Sequence, residues 1–196
     1  MQRREVVRLL GVAPLAGALP WSLPDVQRAA EAVARLRARG QAFQPKVFTP
    51  HEYRTVRVLV DMIIPRDERS GSATDAGVPE FMDFMMSDRP QLQEPLRGGL
   101  AWLDTECRER FGNDFVDGGD AQRRAVLDDI AWPARAKPET SQGVAFFNRF
   151  RDLTASGFWS SKRGVADLPY LGNTAVPEWK GCPEEQLKKL RVSYGD

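Results

Sequence analysis

Between Pro90 and Phe111 the residues Leu92, Leu96, Leu100, Leu103, Cys107 and Phe111 follow one another at spacings of 4, 4, 3, 4 and 4. That is the period of an α-helix, and it puts all six on one face. Such a face has to be covered, because each large apolar side chain gains roughly 1.5–3 kcal/mol on leaving water. The cover must itself be helical, since no stretch of the chain alternates apolar and polar residues between hairpin turns. The chain therefore reads as all-α, a compact irregular helical bundle of about five to seven helices, ending in a long aromatic, Gly/Pro-rich segment. Cys107 lies on the apolar stripe and should be a buried thiol. Gly98 and Gly99 interrupt the same helix at a cost in propensity, and they mark either a close crossing or a kink.

The other helices announce themselves by their ends. Thr49-Pro50-His51-Glu52 is a capping box with proline at the first helical position. Tyr53, Val56, Leu59, Val60, Ile63 and Ile64 form its core stripe, and Pro65 stops it. His51 sits in the first turn and reads as a surface residue, since a lone imidazole without a partner is no mechanism. Arg66 to Gly77 reads as a polar loop. Pro79 to Met86 is a short helix that is apolar nearly all round, its methionines serving as core filler rather than ligands. Asp120 caps a helix running from Ala121 to about Ala131 with Ala125, Val126, Leu127 and Ile130 inward. Thr140 or Ser141 opens the last long helix, with Val144, Phe147, Phe150 and Leu153 on one side and Phe146 beside them. Glu184 to Leu190 is a short charged helix. Before all of these, Pro24 to Arg39 is rich in Ala and Arg with a thin apolar stripe, and reads as a loosely attached linker helix with solvated arginines.

Several function classes are excluded by simple counts. The chain has 196 residues, 42% hydrophobic and 28% charged, enough for one domain with a sizeable core. Its 28 basic and 27 acidic residues leave a net charge of +1, which does not suit nucleic-acid binding. No stretch is apolar for the roughly 18–20 residues of a membrane span. One histidine and two cysteines, without CxxC, HxxxH or CxxCH, give no zinc, haem or iron–sulfur pattern. No GxGxxG or GxxxxGK[ST] fingerprint follows a strand. The reading assigns this chain no catalytic residue, no cofactor and no metal of its own.

Met1 to Trp21 has a charged start, Arg3-Arg4, followed by an apolar run that only Arg8 breaks. It resembles an export signal of the twin-arginine type; the alternative is a short amphipathic helix of a cytoplasmic protein. The organisation is thus a signal over 1–21, a linker helix and connection over 22–48, and a helical domain over 49–196.

Ala155 to Pro183 is where function concentrates. It is irregular in pattern, rich in Gly and Pro, and carries Phe158, Trp159, Tyr170, Leu171 and Trp179. Disordered segments are poor in aromatics, so this one must pack, either on its own helical body or on another protein.

Three segments in order resemble the gluconate 2-dehydrogenase subunit 3 family. They are FTPHEYRTVRVLVDMIIPRDERSGSATDAGVPEFMDFMMSD, VAFFNRFRDLTASGFWSSKRG and LPYLGNTAVPEWKGCP. The first is similar to the family's threonine-capped helix, its IIP stop and AGVPEF. The second is similar to its final helix with an aromatic exit, and the third to its Gly-Asn, Trp and Gly-Cys-Pro ending. Trp159 and Ser160 stand where the family more often has Tyr and Thr.

The resemblance implies a non-catalytic small subunit of a periplasmic sugar or sugar-acid dehydrogenase complex. Catalysis would sit on a partner, an FAD-dependent flavoprotein of the glucose–methanol–choline type. Electrons would pass to a c-type cytochrome, so that FAD, haem c and any iron–sulfur cluster belong to partner subunits, including a multihaem cytochrome c subunit where one exists. The small subunit would support the flavoprotein's folding and supply the twin-arginine signal, with membrane association, if any, through the complex. Phe158, Trp159, Tyr170, Leu171, Asn173 and Trp179 are then candidates for the partner interface; the aromatics among them have the alternative of covering their own helical body.

The resemblance also implies that Cys182 bridges to the catalytic subunit, in keeping with an exposed thiol in an oxidising compartment. An internal Cys107–Cys182 disulfide, with Cα atoms within about 7 Å, and two reduced thiols are the alternatives. Two other functions remain open at this point: a free-standing periplasmic sugar-binding protein, and a small enzyme using Asp67, Glu80 or Asp83 as acid and base.

Overall fold

A computed structural model describes residues 21–40, 43–168, 178 and 181–193 of the chain. Among these residues the protein is all-α, without strands. The helices are α1 (Leu23–Ala38), α2 (Pro50–Ile63), α3 (Ala73–Ala76), α4 (Val78–Asp88), α5 (Gln93–Phe111), α6 (Asp120–Ile130), α7 (Ser141–Trp159), α8 (Lys162–Asp167) and α9 (Glu184–Leu190). Single 3-10 turns precede α5, α6 and α7 at Pro90–Leu92, Phe115–Asp117 and Pro138–Thr140.

Local chemistry sets the helix starts. At α2 the Thr49 hydroxyl accepts the Glu52 N–H at 3.2 Å and the Glu52 carboxylate accepts the Thr49 N–H at 2.8 Å, the reciprocal pair expected there. The polar loop before α4 holds one more helical turn than its composition suggests. Ser72 and Asp75 cap α3 in the same manner, with Ser72 N–H donating to Asp75 Oδ2 at 2.9 Å. Gly77 joins α3 to α4 with φ of 90°, a left-handed conformation that disfavours a side chain.

The core gathers around α5. Leu92, Leu96, Leu100, Leu103 and Cys107 are buried, and Phe111 packs half-buried at the end of the stripe. Phe81, Met82, Met85 and Met86 of α4 and Phe146, Phe147, Phe150 and Leu153 of α7 complete it. The glycine pair in α5 divides its roles. A Cβ on Gly99 would lie 1.9 Å from Cδ2 of Phe146, whereas one on Gly98 would meet nothing within 4 Å. The pair therefore marks a helix crossing, and Gly99 alone makes it.

Two expectations need correction. The helix read as a loosely attached linker, α1, packs firmly against α4, burying Val26, Ala29 and Val33. Its ends are clamped by polar groups. The buried Asp25 carboxylate accepts Ser22 N–H at 2.7 Å, Ser22 Oγ at 2.8 Å and Arg28 at 2.6 Å, and it also pairs with Arg89. At the other end Arg37 donates to the carbonyls of Thr74 at 2.9 Å and Asp75 at 2.5 Å. The following connection is fixed as well: the buried Asp83 carboxylate accepts the N–H groups of Lys46, Val47 and Phe48 at 2.9–3.1 Å.

The second correction concerns the exit from the last long helix. Ala155 to Trp159 is not irregular but forms the final turn of α7. Gly157 does not end the helix. It lets the helix approach Phe81, whose Cδ1 would lie 2.7 Å from a Cβ placed there.

Candidate partner interface

The end of α7 turns sharply into α8, and three groups dictate the corner. Ser161 Oγ donates to the Phe158 carbonyl at 2.7 Å and accepts the Gly164 N–H at 3.0 Å, capping α8. Gly164 is buried under this turn, and a Cβ on it would lie 2.1 Å from the Phe158 carbonyl oxygen. With glycine there, α8 folds back onto the last turn of α7.

The corner separates the two leading aromatics of the predicted interface. Phe158 is 1% exposed and belongs to the core, so it is withdrawn as an interface residue. The i, i+1 neighbour points the other way, and Trp159 keeps 38% of its surface exposed, packed edge-on to Phe158 at 4.9 Å between ring centroids. α8 exposes Val165 at 40%, and Leu168, just past its end, is 51% exposed, with Lys162 and Arg163 also exposed. Neither Val165 nor Leu168 stands out in the sequence; the Ser161 cap three residues before Gly164 is the signal that could have placed them on a short helix and at its end.

A groove of about 710 Å³ runs between α1 and this corner. Its lining includes the apolar or small residues Val33, Ala34, Ala76, Phe81 and Gly157, and it carries Glu31 and Arg37 from α1 and Lys162 and Arg163 from α8. A second cleft of about 450 Å³ lies across the same two cations, lined also by Arg69, Ser70 and Asp167. The neighbouring arginines are committed internally. Arg37 holds the α3 carbonyls, Arg66 pairs with Asp75 at 2.5 Å, and Arg69 donates to the Asp167 carbonyl at 2.7 Å. Among the described residues no carboxylate forms an ion pair with Lys162 or Arg163.

The remaining site candidates fall as follows. Arg3, Arg4, Tyr170, Leu171, Asn173 and Trp179 lie outside the described residues. Cys182 is exposed shortly before α9, while Cys107 is a buried free thiol, so the internal Cys107–Cys182 bridge is not formed. Burial pushes the Cys107 thiol up from its ordinary pKa, with the Asp104 carboxylate adding to the effect.

Two of the carboxylates considered for acid–base chemistry are held structurally by N–H groups. Asp83 is buried under three N–H groups, and Asp67 accepts the N–H groups of Ser70 at 2.6 Å and Arg69 at 2.9 Å, which hold its carboxyl below the usual range. Glu80 stands 3.7 Å from Arg37. His51 is not without a partner: its Nε2 lies 2.7 Å from Oδ2 of buried Asp104, whose Oδ1 accepts the Phe115 N–H at 3.0 Å. That pair ties α2 to α5 and to the turn after it. Among the described residues no three His, Cys, Asp or Glu side chains are placed to hold a metal ion, and no helix is long and apolar enough to cross a membrane.

Fold and surface together define a small all-α scaffold that presents a mixed apolar and cationic face at one corner. The family model for gluconate 2-dehydrogenase subunit 3 matches residues 50–177, from the first residue of α2 to beyond α8, and the chain belongs to that family. Searches among curated proteins and among solved structures found no match.

Proposed function

We propose that this chain is the non-catalytic small subunit of a periplasmic FAD-dependent sugar or sugar-acid dehydrogenase complex. In this reading it supports the folding, export and stability of a catalytic flavoprotein of the glucose–methanol–choline type, which passes electrons to a c-type cytochrome. The observation that carries the reading is the family match over residues 50–177. The structural commitments of Asp83 and Asp67 support it, because they remove these carboxylates from the acid–base roles an independent enzyme would need. Among the described residues the groove offers no aromatic platform for a free-standing sugar-binding protein: Phe81, the aromatic residue in its lining, is 1% exposed.

Export runs through Arg3-Arg4, so the small subunit carries the signal for both proteins. Cys182, exposed and outside the bundle core, bridges to the catalytic subunit. The experiment is to co-express the chain with a candidate flavoprotein partner of the glucose–methanol–choline type and to run the purified material on non-reducing and reducing gels. A high-mass band that splits on reduction and is lost in Cys182→Ser supports both subunit and bridge. Co-purification without that band keeps the subunit and discards the bridge. A lone monomer under both conditions sinks the reading.

A further inference from the structure

We propose that the α7–α8 corner is the docking surface for an acidic, apolar-flanked segment of the partner protein, held over the α1 groove by Lys162 and Arg163. The inference rests on the small-subunit reading and names the part of the surface that does the binding.

Charge complementarity gives the first argument. Arg37, Arg66 and Arg69 surround the corner, and each is taken up by an acceptor of this chain. Lys162 and Arg163 are exposed, line both concavities, and form no ion pair among the described residues. Arg163 lies close over Gly71, and its charge is felt at Asp75, but it makes no ion pair there. Two adjacent cations at the mouth of a groove, neither in an ion pair among the described residues, suit an incoming carboxylate.

The second argument is the disposition of apolar surface. Trp159, Val165 and Leu168 are exposed on the outer side of the corner and are not among the groove-lining residues. A small molecule inside the groove would leave them in water. A polypeptide segment crossing from the groove to the outer face covers both, with its carboxylate between. Trp and Arg in one patch are also the residue types that dominate binding energy at protein interfaces. The groove also requires α1, which precedes the family-matched residues, so one wall of the docking site is supplied from outside the matched stretch.

The test is the affinity of the full chain for the flavoprotein, measured in a Cys182→Ser background so that no covalent link masks it. Lys162→Glu/Arg163→Glu raises Kd by about tenfold or more, chiefly through slower association and with a weaker salt dependence, while the melting temperature stays that of the parent. The conservative exchange Lys162→Arg/Arg163→Lys holds Kd near the parent value. Val165→Ser/Leu168→Ser weakens binding without changing its salt dependence. If the parent chain binds the flavoprotein and charge reversal leaves Kd unchanged, the corner is not the docking surface and the subunit reading still stands. If charge reversal weakens binding but the apolar pair does not, the occupant is not apolar-flanked and the proposal fails in that form. If the parent chain does not bind the flavoprotein at all, the subunit reading fails and this inference falls with it.

Discussion

The ring of Phe146 rests against the backbone of Gly99, so closely that a methyl group on Gly99 would come within 1.9 Å of its Cδ2. This contact is what lets α7 cross α5 over the centre of the core. Gly99→Ala forces the ring or the helix aside, and overpacking of this kind costs about 1–3 kcal/mol, more than the helix-propensity gain of about 1 kcal/mol that alanine brings. Gly98→Ala meets nothing and keeps only the gain, so it should stabilise the protein by up to about 1 kcal/mol. Denaturant melts of the two variants should therefore move in opposite directions from the parent. A shared direction would mean that the crossing is not where the ring places it.

Arg89, at the end of α4, pairs with Asp25, at the start of α1, across 64 positions of sequence. The Arg89 guanidinium, followed by the Ser22 N–H and hydroxyl, holds the Asp25 carboxyl well below the usual carboxylate range. A depressed folded-state pKa contributes stability that is present in full above the ordinary carboxylate value, about 4, and fades as the pH falls below it. Asp25→Asn should lower the melting temperature at neutral pH, and the gap to the parent should close as the pH is taken below about 4. A gap that stays constant through acid would show that the charge of Asp25 does not clamp α1.

Asp83 is a buried acceptor for three consecutive N–H groups, those of Lys46, Val47 and Phe48. Asp83→Ala leaves all three without this acceptor, the Phe48 N–H in a buried site and the other two part-buried, and a cost of roughly 3 kcal/mol is expected. Asp83→Asn keeps one carbonyl acceptor and should recover part of it. Chemical denaturation of the two variants gives the comparison. If Asp83 were an acid–base catalyst instead, both substitutions would abolish turnover by assembled complex at unchanged stability.

His51 and Asp104 are partners of unequal weight. Asp104 also holds the Phe115 N–H in the core, while His51 is partly open to solvent. His51→Ala should therefore cost about 1 kcal/mol, and Asp104→Ala about 3 kcal/mol, because the latter leaves a buried N–H unsatisfied. Thermal melts of the single and double variants would show it. Equal losses would mean that the imidazole carries the whole interaction.

How far the sequence foretold this molecule depends on the range of each interaction. The α5 stripe from Leu92 to Cys107, the Thr49–Glu52 cap and the inward Phe147, Phe150 and Leu153 are set within a few residues, and they were legible. The attachment of α1 was not, because its thin stripe hides clamps to Arg89, Thr74 and Asp75, 37 to 64 positions away. The partner of His51 was missed for the same reason, at a separation of 53. At the end of α7, aromatic content could not sort buried from exposed residues. Phe158 and Trp159 are adjacent in sequence, and only the crossing of α7 over Phe81 decides which of them faces the core.

Gly164 gives the sharpest test of how that corner is built. A Cβ there would lie 2.1 Å from a backbone carbonyl, that of Phe158, and backbone cannot step aside as the end of a flexible side chain can. Gly164→Ala should therefore displace α8 from α7 and break the Ser161 cap, which depends on the Gly164 N–H at 3.0 Å. Because α8 is short and packs mainly at the edge of the bundle, the global cost should stay near 1–3 kcal/mol. Hydrogen exchange should be faster in residues 161–168 and unchanged in α5, whose core contacts lie elsewhere. Ser161→Ala, which removes the cap without a clash, should give the same pattern at about 1 kcal/mol. If Gly164→Ala leaves exchange at the corner as it was, α8 is not held by this close approach, and Val165 and Leu168 are not presented at the corner in the way the fold indicates.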